Sequence, residues 1–398
     1  MRSLAPCSRF RAFREASASL CELPHRVVVR LSSRAQMLFS SKRLLVLTGA
    51  GISTESGVPD YRSPGRPEYK PMQQPQFISD RDTRQRYWAR STIGYARLTA
   101  AAPNDGHRML AALERRRDAL GLQTQLVTQN VDGLHARAGS PAVLELHGTI
   151  HRVGCLSCGV DLCRAELQQE LERHNGPWLD RHGIGSALVT KTPESTMQRP
   201  DGDSEVPEEA YASFRVPRPC QRPGRDWSPV LESPSGQIIA AAVRARQQWH
   251  GPSDGGALGH AEALRPPHTA GGTGRRACHD ELMPRVVFHG GSLPAAVTAQ
   301  SRAMADGCDA LVVLGSTLSV FSAFRIVRGA KAAGARVAIV NHGETRADPL
   351  ADVLVDASIG AVLRAAADLE GGAGASDAML ASLEPASPSP VERLSARG

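Results

Sequence analysis

The chain has 398 residues, of which 41% are hydrophobic and only 4% are aromatic. This length allows two modest domains or one large domain with appendages, and the hydrophobic content excludes a wholly disordered protein. No stretch approaches the ~18 apolar residues that a membrane-spanning helix requires, so we expect no membrane span. The formal net charge of +7 is compatible with a nucleic-acid partner.

Much of this charge lies in the first 40 residues, which contain seven arginines and only two acidic residues, Glu15 and Glu22. Serines and apolar side chains are interspersed among the arginines. A leader that is rich in Arg and Ser and poor in acids is typical of a mitochondrial transit peptide. We therefore predict that residues 1–40 direct the protein to the mitochondrial matrix. The alternative is a disordered basic tail.

Short apolar runs that are typical of buried strands follow the leader, at residues 43–48, 125–128, 143–146, 310–314 and 337–340. Stretches with helical spacing lie among them, at residues 84–99, 106–120 and 323–333. Strands that alternate with helices indicate an α/β protein. We predict a Rossmann-like parallel sheet with helices on both faces.

The predicted sheet is split in sequence between residues 41–150 and residues 285–370. The segment between them, residues 151–284, is rich in cysteine and proline and shows no long periodic element, so we interpret it as a small inserted domain. Within it, residues 221–277 contain six prolines and nine glycines among 57 positions, which is close to a low-complexity composition. The Ala/Ser/Pro-rich tail, residues 371–398, is predicted to be disordered.

The first strand leads directly into Gly49-Ala50-Gly51. Glycines in this position let backbone amides approach a phosphate, and a helix that begins there favours its negative charge. However, Thr54 occupies the third glycine position of the dinucleotide fingerprint, and no strand with an acidic end follows at the expected distance. By itself the loop indicates either an unusual dinucleotide site or a plain turn.

Longer motifs resolve this ambiguity. Residues 49–63 read GAGISTESGVPDYRS and residues 128–135 read TQNVDGLH, and they are followed by Leu146-His147-Gly148, Cys155-Leu156-Ser157-Cys158, Gly315-Ser316-Thr317 and Asn341-His342-Gly343. In order and spacing this set resembles the sirtuin family of NAD-dependent protein deacylases. Residues 41–63 and 84–90 are most similar to the mitochondrial class II branch, and in particular to its fourth mammalian type. The resemblance covers residues 40–220 and 278–365.

The resemblance implies that NAD binds as a co-substrate at the loops after the strands. The diphosphate and the nicotinamide ribose would be held by Gly49, Ala50, Gly51, Tyr61 and Arg62. Gln129 and Asn130 would contact the ribose, and Asp132, which follows Val131, would bind the nicotinamide amide. The adenosine side would be lined by Gly315, Ser316 and Asn341, with Ile359 behind the adenine. Four neighbouring residues are also predicted to bind NAD: Val131, Thr317, His342 and Gly343.

The resemblance also implies that His147 is catalytic. In the family, the acyl carbonyl oxygen of a modified lysine attacks C1′ of the NAD ribose, nicotinamide leaves and an alkylimidate forms. A base then deprotonates a ribose hydroxyl, which attacks the imidate. Histidine suits this task because its unperturbed pKa of about 6.5 leaves it neutral near working pH. Taken alone, a histidine after an apolar strand is more often structural, and we assign a structural role to His107.

The cysteines predict a structural zinc ion. Cys155 and Cys158 have the spacing that lets two thiolates reach one tetrahedral metal. The resemblance implies a second pair before the segment Pro-x-Val-Val-Phe, which is found at residues 284–288, and Cys220 and Cys278 match the two ends of that pair. We predict these four cysteines as the ligands of one zinc ion, with Cys163 or His279 as substitutes.

The Gly/Pro-rich stretch separates Cys220 from Cys278 by 57 residues, where the family has two. Closing the longer loop costs about 3 kcal/mol of entropy. Structural zinc contributes on the order of 10–16 kcal/mol, so we expect the site to survive. Removal of residues 221–275 would restore a normal pair, Cys220-Arg276-Ala277-Cys278. This arrangement suggests the hypothesis that the stretch is an unspliced in-frame intron or a gene-model artefact.

Two departures from the family bear on the substrate. His289-Gly290-Gly291 follow Phe288 where the family has Phe-Gly-Glu or Phe-Gly-Asp, and Tyr61 stands where strong deacetylases tend to have Phe. We therefore predict a lysine deacylase that prefers longer or branched acyl groups, including lipoyl, to acetyl. Its partners would be acyl-lysine proteins of the mitochondrial matrix.

Three other functions stay open at this point. A protein mono-ADP-ribosyltransferase would use the same NAD site but capture the ribose carbon with a protein nucleophile. A hydride-transferring oxidoreductase would also bind NAD. A zinc-dependent nucleic-acid-binding protein is suggested by the pI of about 9.2. The basic residues are dispersed once the leader is set aside, so we expect no nucleic-acid partner.

Overall fold

The computed structural model describes residues 41–61, 71–156, 160–181, 208–217 and 281–371, together with residues 201, 204 and 206. The predicted transit peptide, the Gly/Pro-rich insertion and residues 372–398 of the predicted tail lie outside the described residues. The structure therefore leaves those three predictions, and the domain boundaries that depend on them, as predictions.

Nine strands lie in the described part of the chain: β1 Arg43–Thr48, β2 Gln123–Thr128, β3 Val143–Glu145, β4 Gly148–Cys155, β5 Asp161–Cys163, β6 Leu282–Val286, β7 Ala310–Leu314, β8 Arg336–Val340 and β9 Val353–Val355. Six of them form a large sheet in the order β3-β2-β1-β7-β8-β9. Every pairing in this sheet is parallel. The strand order changes direction between β1 and β7, which are neighbours in space but far apart in sequence.

Eight α-helices lie in the same described ranges: α1 Gln74–Ser79, α2 Arg81–Ala100, α3 Asp105–Ala119, α4 Leu134–Arg137, α5 Arg164–Arg181, α6 Ala295–Gly307, α7 Phe321–Ala332 and α8 Ile359–Gly371. Alternate residues of each central strand point to opposite faces of the sheet. In β1, Leu44 and Val46 pack with side chains of α3 and α8, whereas Leu45 and Leu47 pack with side chains of α6 and α7. The prediction of a Rossmann-like parallel sheet with helices on both faces is confirmed.

The other three strands form a small antiparallel sheet in the order β5-β4-β6. A separate hydrophobic cluster covers this sheet with side chains from α1, α2 and α5, among them Phe77, Trp88 and Leu171. β4 begins only three residues after β3 ends. The short connection places the small sheet directly beside the carboxyl ends of the strands of the large one.

The expectation that residues 151–284 lack a long periodic element is wrong, because α5 extends over 18 residues. It buries Leu167, Leu171, Trp178 and Leu179, which recur at helical spacing. Its periodicity is hidden by an internal break, where Asn175 has a non-helical backbone (φ −115°, ψ 15°) and Pro177 follows. A proline inside a helix removes a backbone hydrogen bond and normally ends or kinks the helix, so the sequence pattern reads as a loop.

The described residues include no helix that is both long and apolar enough to cross a bilayer.

We expect replacement of Leu311 by Ala to lower the free energy of unfolding by about 3 kcal/mol, because loss of a buried leucine removes its transfer energy and leaves a cavity. Leu311 is fully buried in the central strand β7. Urea denaturation measures the change. The matched control is Leu120→Ala, at a position where the side chain is 66% exposed. An equal loss of stability in both variants would contradict this packing.

Candidate functional site

The loops that follow β1 and β7 touch through their backbones. The N–H of Gly49 donates to the carbonyl of Leu314 (3.0 Å), and the N–H of Gly51 donates to the carbonyl of Gly315 (2.9 Å). A Cβ atom on Gly49 would lie 2.7 Å from the Gly315 oxygen, and one on Gly51 would lie 2.8 Å from the Gly315 Cα. Only glycine permits this approach. The contact lies where the strand order reverses, which is where doubly wound sheets bind nucleotides.

Asp132 is held at the same edge of the sheet by a buried hydrogen-bond network. Its Oδ2 accepts from the Ser53 hydroxyl (2.7 Å), and its Oδ1 accepts from the N–H of Leu134 (2.9 Å). The side-chain amide of Asn130 donates to the same hydroxyl (3.0 Å) and to the carbonyl of Gly49 (3.1 Å). The network thereby links the loop after β2 to the loop after β1. Ser53 was not singled out from the sequence, although it stands inside the motif GAGIST.

Two buried histidines lie behind this network. His107 completes the N-terminal cap of α3 with Asn104, whose side-chain amide donates to the carbonyl of Ile52 (2.7 Å). The ring of His135 packs edge-on against that of His107, with 4.8 Å between the centroids, and its Nε2 lies 2.9 Å from the Thr48 hydroxyl. Burial lowers the pKa of His107 to about 4 and that of His135 well below its ordinary range. Both rings are therefore neutral at physiological pH.

Gln129, the residue after β2, connects three parts of the site. Its N–H donates to the carbonyl of Thr48 (2.9 Å), and its side-chain amide donates to the hydroxyl of Ser316 in the loop after β7 (2.8 Å). Its carbonyl oxygen lies 3.1 Å from Nδ1 of His147. The Ser316 hydroxyl also accepts from the N–H of Leu318, which has a left-handed backbone (φ 56°). A non-glycine residue in this conformation is strained, and such strain is concentrated at functional sites.

His147 is half-buried between β3 and β4, and both of its ring nitrogens have partners. Because a carbonyl can only accept, the contact with Gln129 assigns the ring proton to Nδ1 and leaves the lone pair on Nε2. That lone pair faces the hydroxyl of Ser322 at 2.8 Å. Burial lowers the pKa of His147 below 6.5 and outweighs the opposite effect of the Gln129 carbonyl, while the nearby His289 lowers it further. The imidazole of His147 is thus neutral at physiological pH.

The candidates for the adenosine side lie in the loops after β7 and β8 and at the start of α8. Ile359 packs against the loop after β7, since a Cβ atom on Gly315 would lie 2.8 Å from its Cδ1. Asn341 follows β8 and closes its own turn by donating to the carbonyls of His342 and Gly343. The N–H of Gly315 donates to the carbonyl of Val340, the residue before Asn341 (2.9 Å), so Gly315, Ile359 and Asn341 lie at one edge of the sheet.

Three further candidates have other surroundings. Val131 is buried with Tyr95 and Ile150. The hydroxyl of Thr317 pairs with that of Ser319 at 2.9 Å. The side chain of Tyr61 is 40% exposed. Arg62, next to it, lies outside the described residues.

The predicted zinc ligands are described only in part. Cys155 is buried at the end of β4, while Cys158, Cys220 and Cys278, together with the substitute His279, lie outside the described residues. Among the described residues, no group of three or more His, Cys, Asp or Glu side chains could hold a metal ion. The zinc site is therefore still a prediction.

We expect Gly51→Ala to weaken NAD binding about tenfold or more, because two backbones must separate to admit the methyl group and overpacking costs about 1–3 kcal/mol. Isothermal titration with NAD measures the affinity, and thermal unfolding measures the accompanying loss of stability. Gly176→Ala is the matched control, since a Cβ atom there has no neighbour within 4 Å. Unchanged NAD affinity in Gly51→Ala would exclude this contact as part of the binding site.

Comparison with known proteins identifies the family of this chain. The family profile described as "SIR2: Sir2 family" matches residues 49–322. NAD-dependent protein deacetylase 1 of Mycobacterium avium is 38% identical over 332 residues, which cover 83% of this chain and 93% of the relative. NAD-dependent protein deacylase Sirt4 of Drosophila melanogaster is 35% identical over 365 residues, which cover 89% of this chain and 94% of the relative.

Solved structures show the same fold. The structure described as "Sir2-p53 peptide-NAD+" superposes with a TM-score of 0.51 and 21% identity, and the alignment covers 88% of this chain and 99% of that one.

A further relative, NAD-dependent protein deacylase SIR4 of Monosiga brevicollis, is 37% identical over 312 residues, with 78% of this chain and 79% of the relative covered. The chain belongs to the Sir2 family, the sirtuins, and resembles the members named Sirt4.

Proposed function

We propose that the protein is an NAD-dependent protein lysine deacylase, which converts an acyl-lysine and NAD into lysine, nicotinamide and O-acyl-ADP-ribose. The observation that carries this proposal is the double role of Gln129. Its carbonyl orients the neutral base His147, and its side chain binds Ser316 beside the glycine contact. A base is thereby fixed at the edge of a nucleotide-binding loop. The relatives named as NAD-dependent deacylases and deacetylases support the same function.

Each group at the site has a task in this reaction. When bound, NAD supplies an electrophilic ribose carbon and a nicotinamide leaving group. The glycines after β1 and β7 let the two loops lie in contact at the edge of the sheet, which is where a diphosphate would bind. The carboxylate of Asp132, fixed by Ser53 and Leu134, can accept the amide protons of nicotinamide. His147 takes the proton of a ribose hydroxyl on Nε2, which its tautomer leaves as an acceptor.

A preference for longer or lipoyl-type acyl groups is part of the proposal. The segment His289–Gly291 replaces the aromatic and acidic residues of the family pattern and packs against the start of α1, where the N–H of Gln74 donates to the carbonyl of His289 (2.8 Å). The side chain of Gln74 fills the space beside Gly291 that a larger residue would need. The substrate side of the site is therefore built differently from the family pattern, as the departure at Tyr61 also indicates.

We also place the protein in the mitochondrial matrix, with acyl-lysine proteins as its partners. The composition of residues 1–40 and the similarity to proteins named Sirt4 support this location.

Replacement of His147 by Ala is expected to lower deacylation at least about 100-fold, which is the usual loss when a general base is removed. The assay uses NAD with a panel of acetyl-, long-chain acyl- and lipoyl-lysine peptides, and quantifies O-acyl-ADP-ribose by mass spectrometry. For the unmodified protein we expect a higher kcat/KM with the lipoyl or long-chain peptides than with the acetyl peptide.

His174→Ala is the control, because His174 lies on α5 and its ring contacts the carbonyl of Glu170 within the same helix. Retained deacylation in His147→Ala would remove the proposed base. Transfer of labelled ADP-ribose to protein in place of O-acyl-ADP-ribose release would identify the protein as a mono-ADP-ribosyltransferase.

A structural zinc ion completes the proposal, with Cys155, Cys158, Cys220 and Cys278 as its ligands. The register of the small sheet pairs Cys155 with Leu282, and the N–H of Leu156 donates to the carbonyl of Glu281 (3.0 Å). Glu281, the first described residue after Cys278, therefore lies close to Cys155 and is only three positions from Cys278. Cys163 is a poor substitute, because it pairs with Arg152, three residues away from Cys155 along β4, a separation of ~10 Å.

We expect the purified full chain to contain one zinc ion per molecule, and Cys155→Ser and Cys278→Ser to lose it together with thermal stability. Inductively coupled plasma mass spectrometry measures the zinc content. Cys308→Ser is the control, because the Cys308 thiol is buried beside α6 and contacts the carbonyl of Ala305. Full zinc content in Cys278→Ser would show that the insertion has displaced this ligand.

A further inference from the structure

We infer that Ser322 is a proton-relay residue, through which the proton of the ribose hydroxyl reaches His147. This inference rests on the proposed role of His147 as the base. The Ser322 hydroxyl lies 2.8 Å from Nε2 of His147 and is half-buried. Ser322 is the second residue of α7, which begins seven residues after β7 ends. The loop after β7 therefore carries Ser316, which contacts Gln129, and then leads to Ser322, which contacts the base.

The tautomer of His147 determines what the Ser322 hydroxyl does. Nδ1 donates its proton to the carbonyl of Gln129, so Nε2 carries the only lone pair of the ring that can accept a proton. The Ser322 hydroxyl donates to that lone pair. A ribose hydroxyl cannot donate to Nε2 along the same direction while Ser322 remains there. It can donate to the oxygen of Ser322, which still has lone pairs available.

The relay balances in protons and electrons. The ribose O–H bond breaks as its proton moves to Oγ of Ser322, and the original Oγ–H bond breaks as that proton moves to Nε2 of His147. The ribose oxygen keeps the electron pair of its broken bond and uses it to attack the acyl carbon. Ser322 is neutral before and after the transfer, and His147 carries the proton.

The position of Ser322 favours such a transfer. It lies in the first turn of α7, whose N-terminus carries partial positive charge and reduces the cost of transient negative charge on Oγ. The imidazole is held at both nitrogens by different elements, Gln129 at the end of β2 and Ser322 at the start of α7. A ring fixed at two points loses little orientational freedom when it accepts the proton.

The experiment separates the two steps of the reaction. In the proposed reaction nicotinamide leaves before the base acts. Exchange of labelled nicotinamide into NAD, in the presence of an acyl-lysine peptide, therefore reports the first step alone. Formation of O-acyl-ADP-ribose reports the step that needs the base.

For Ser322→Ala we expect kcat for O-acyl-ADP-ribose formation to fall on the order of tenfold, with nicotinamide exchange and the KM for NAD within about twofold of the unmodified protein, because only a proton-transfer contribution is lost. Ser322→Thr keeps the hydroxyl and should restore kcat. Ser301→Ala is the matched control, since Ser301 is buried on α6 and its hydroxyl donates to the carbonyl of Thr298. A proton inventory in mixed H₂O and D₂O should be curved for the unmodified protein and linear for Ser322→Ala.

An unchanged or increased kcat in Ser322→Ala would overturn the relay and show that the hydroxyl merely covers the base. An equal fall in exchange and product formation would also overturn it, because that result indicates a structural role. If the unmodified protein neither exchanges nicotinamide nor releases O-acyl-ADP-ribose, the proposed function itself fails, and the variants are not needed to show it.

Discussion

The backbone contact between Gly51 and Gly315 is the constraint on which the rest of the site depends. It joins two loops that are more than 260 residues apart in sequence but follow neighbouring strands of one sheet. Because neither position tolerates a side chain, the two loops can lie in contact at the edge of the sheet where doubly wound folds bind nucleotides. Gln129 bonds across the same junction to Ser316 and at the same time fixes His147. His147 and the two glycine loops are therefore positioned by one set of contacts.

The charges around this contact are controlled by burial. His107 and His135 are packed against each other away from solvent, and their lowered pKa values keep both rings neutral beside the hydrogen-bond network of Asp132. His147 is neutral for the same reason, since burial penalises the charged imidazole. All three imidazoles are therefore neutral at physiological pH.

Much of this arrangement could be predicted from the sequence, because it depends on local pattern. The apolar runs that became β1, β7 and β8 were recognisable as buried strands, and the glycine loops follow directly from them. The helix α5 was missed because Asn175 and Pro177 interrupt its period. Ser53, His135 and Ser322 were missed for another reason. Each of them contacts a residue that is 79 to 175 positions away in sequence, and no local spacing reveals such a contact.

The surroundings of His147 favour deacylation over two of the three other functions that the sequence left open. The backbone carbonyl of His147 accepts from the N–H of Val287, the residue after β6 (2.9 Å). The ring of His147 contacts Gln129 and Ser322. His147 is therefore fixed between the small sheet and the large one. Hydride transfer takes place at the nicotinamide ring and requires no base at the ribose. A buried, neutral histidine whose position is fixed by three separate elements of the fold suits a deacylase, whereas neither hydride transfer nor nucleic-acid binding requires one.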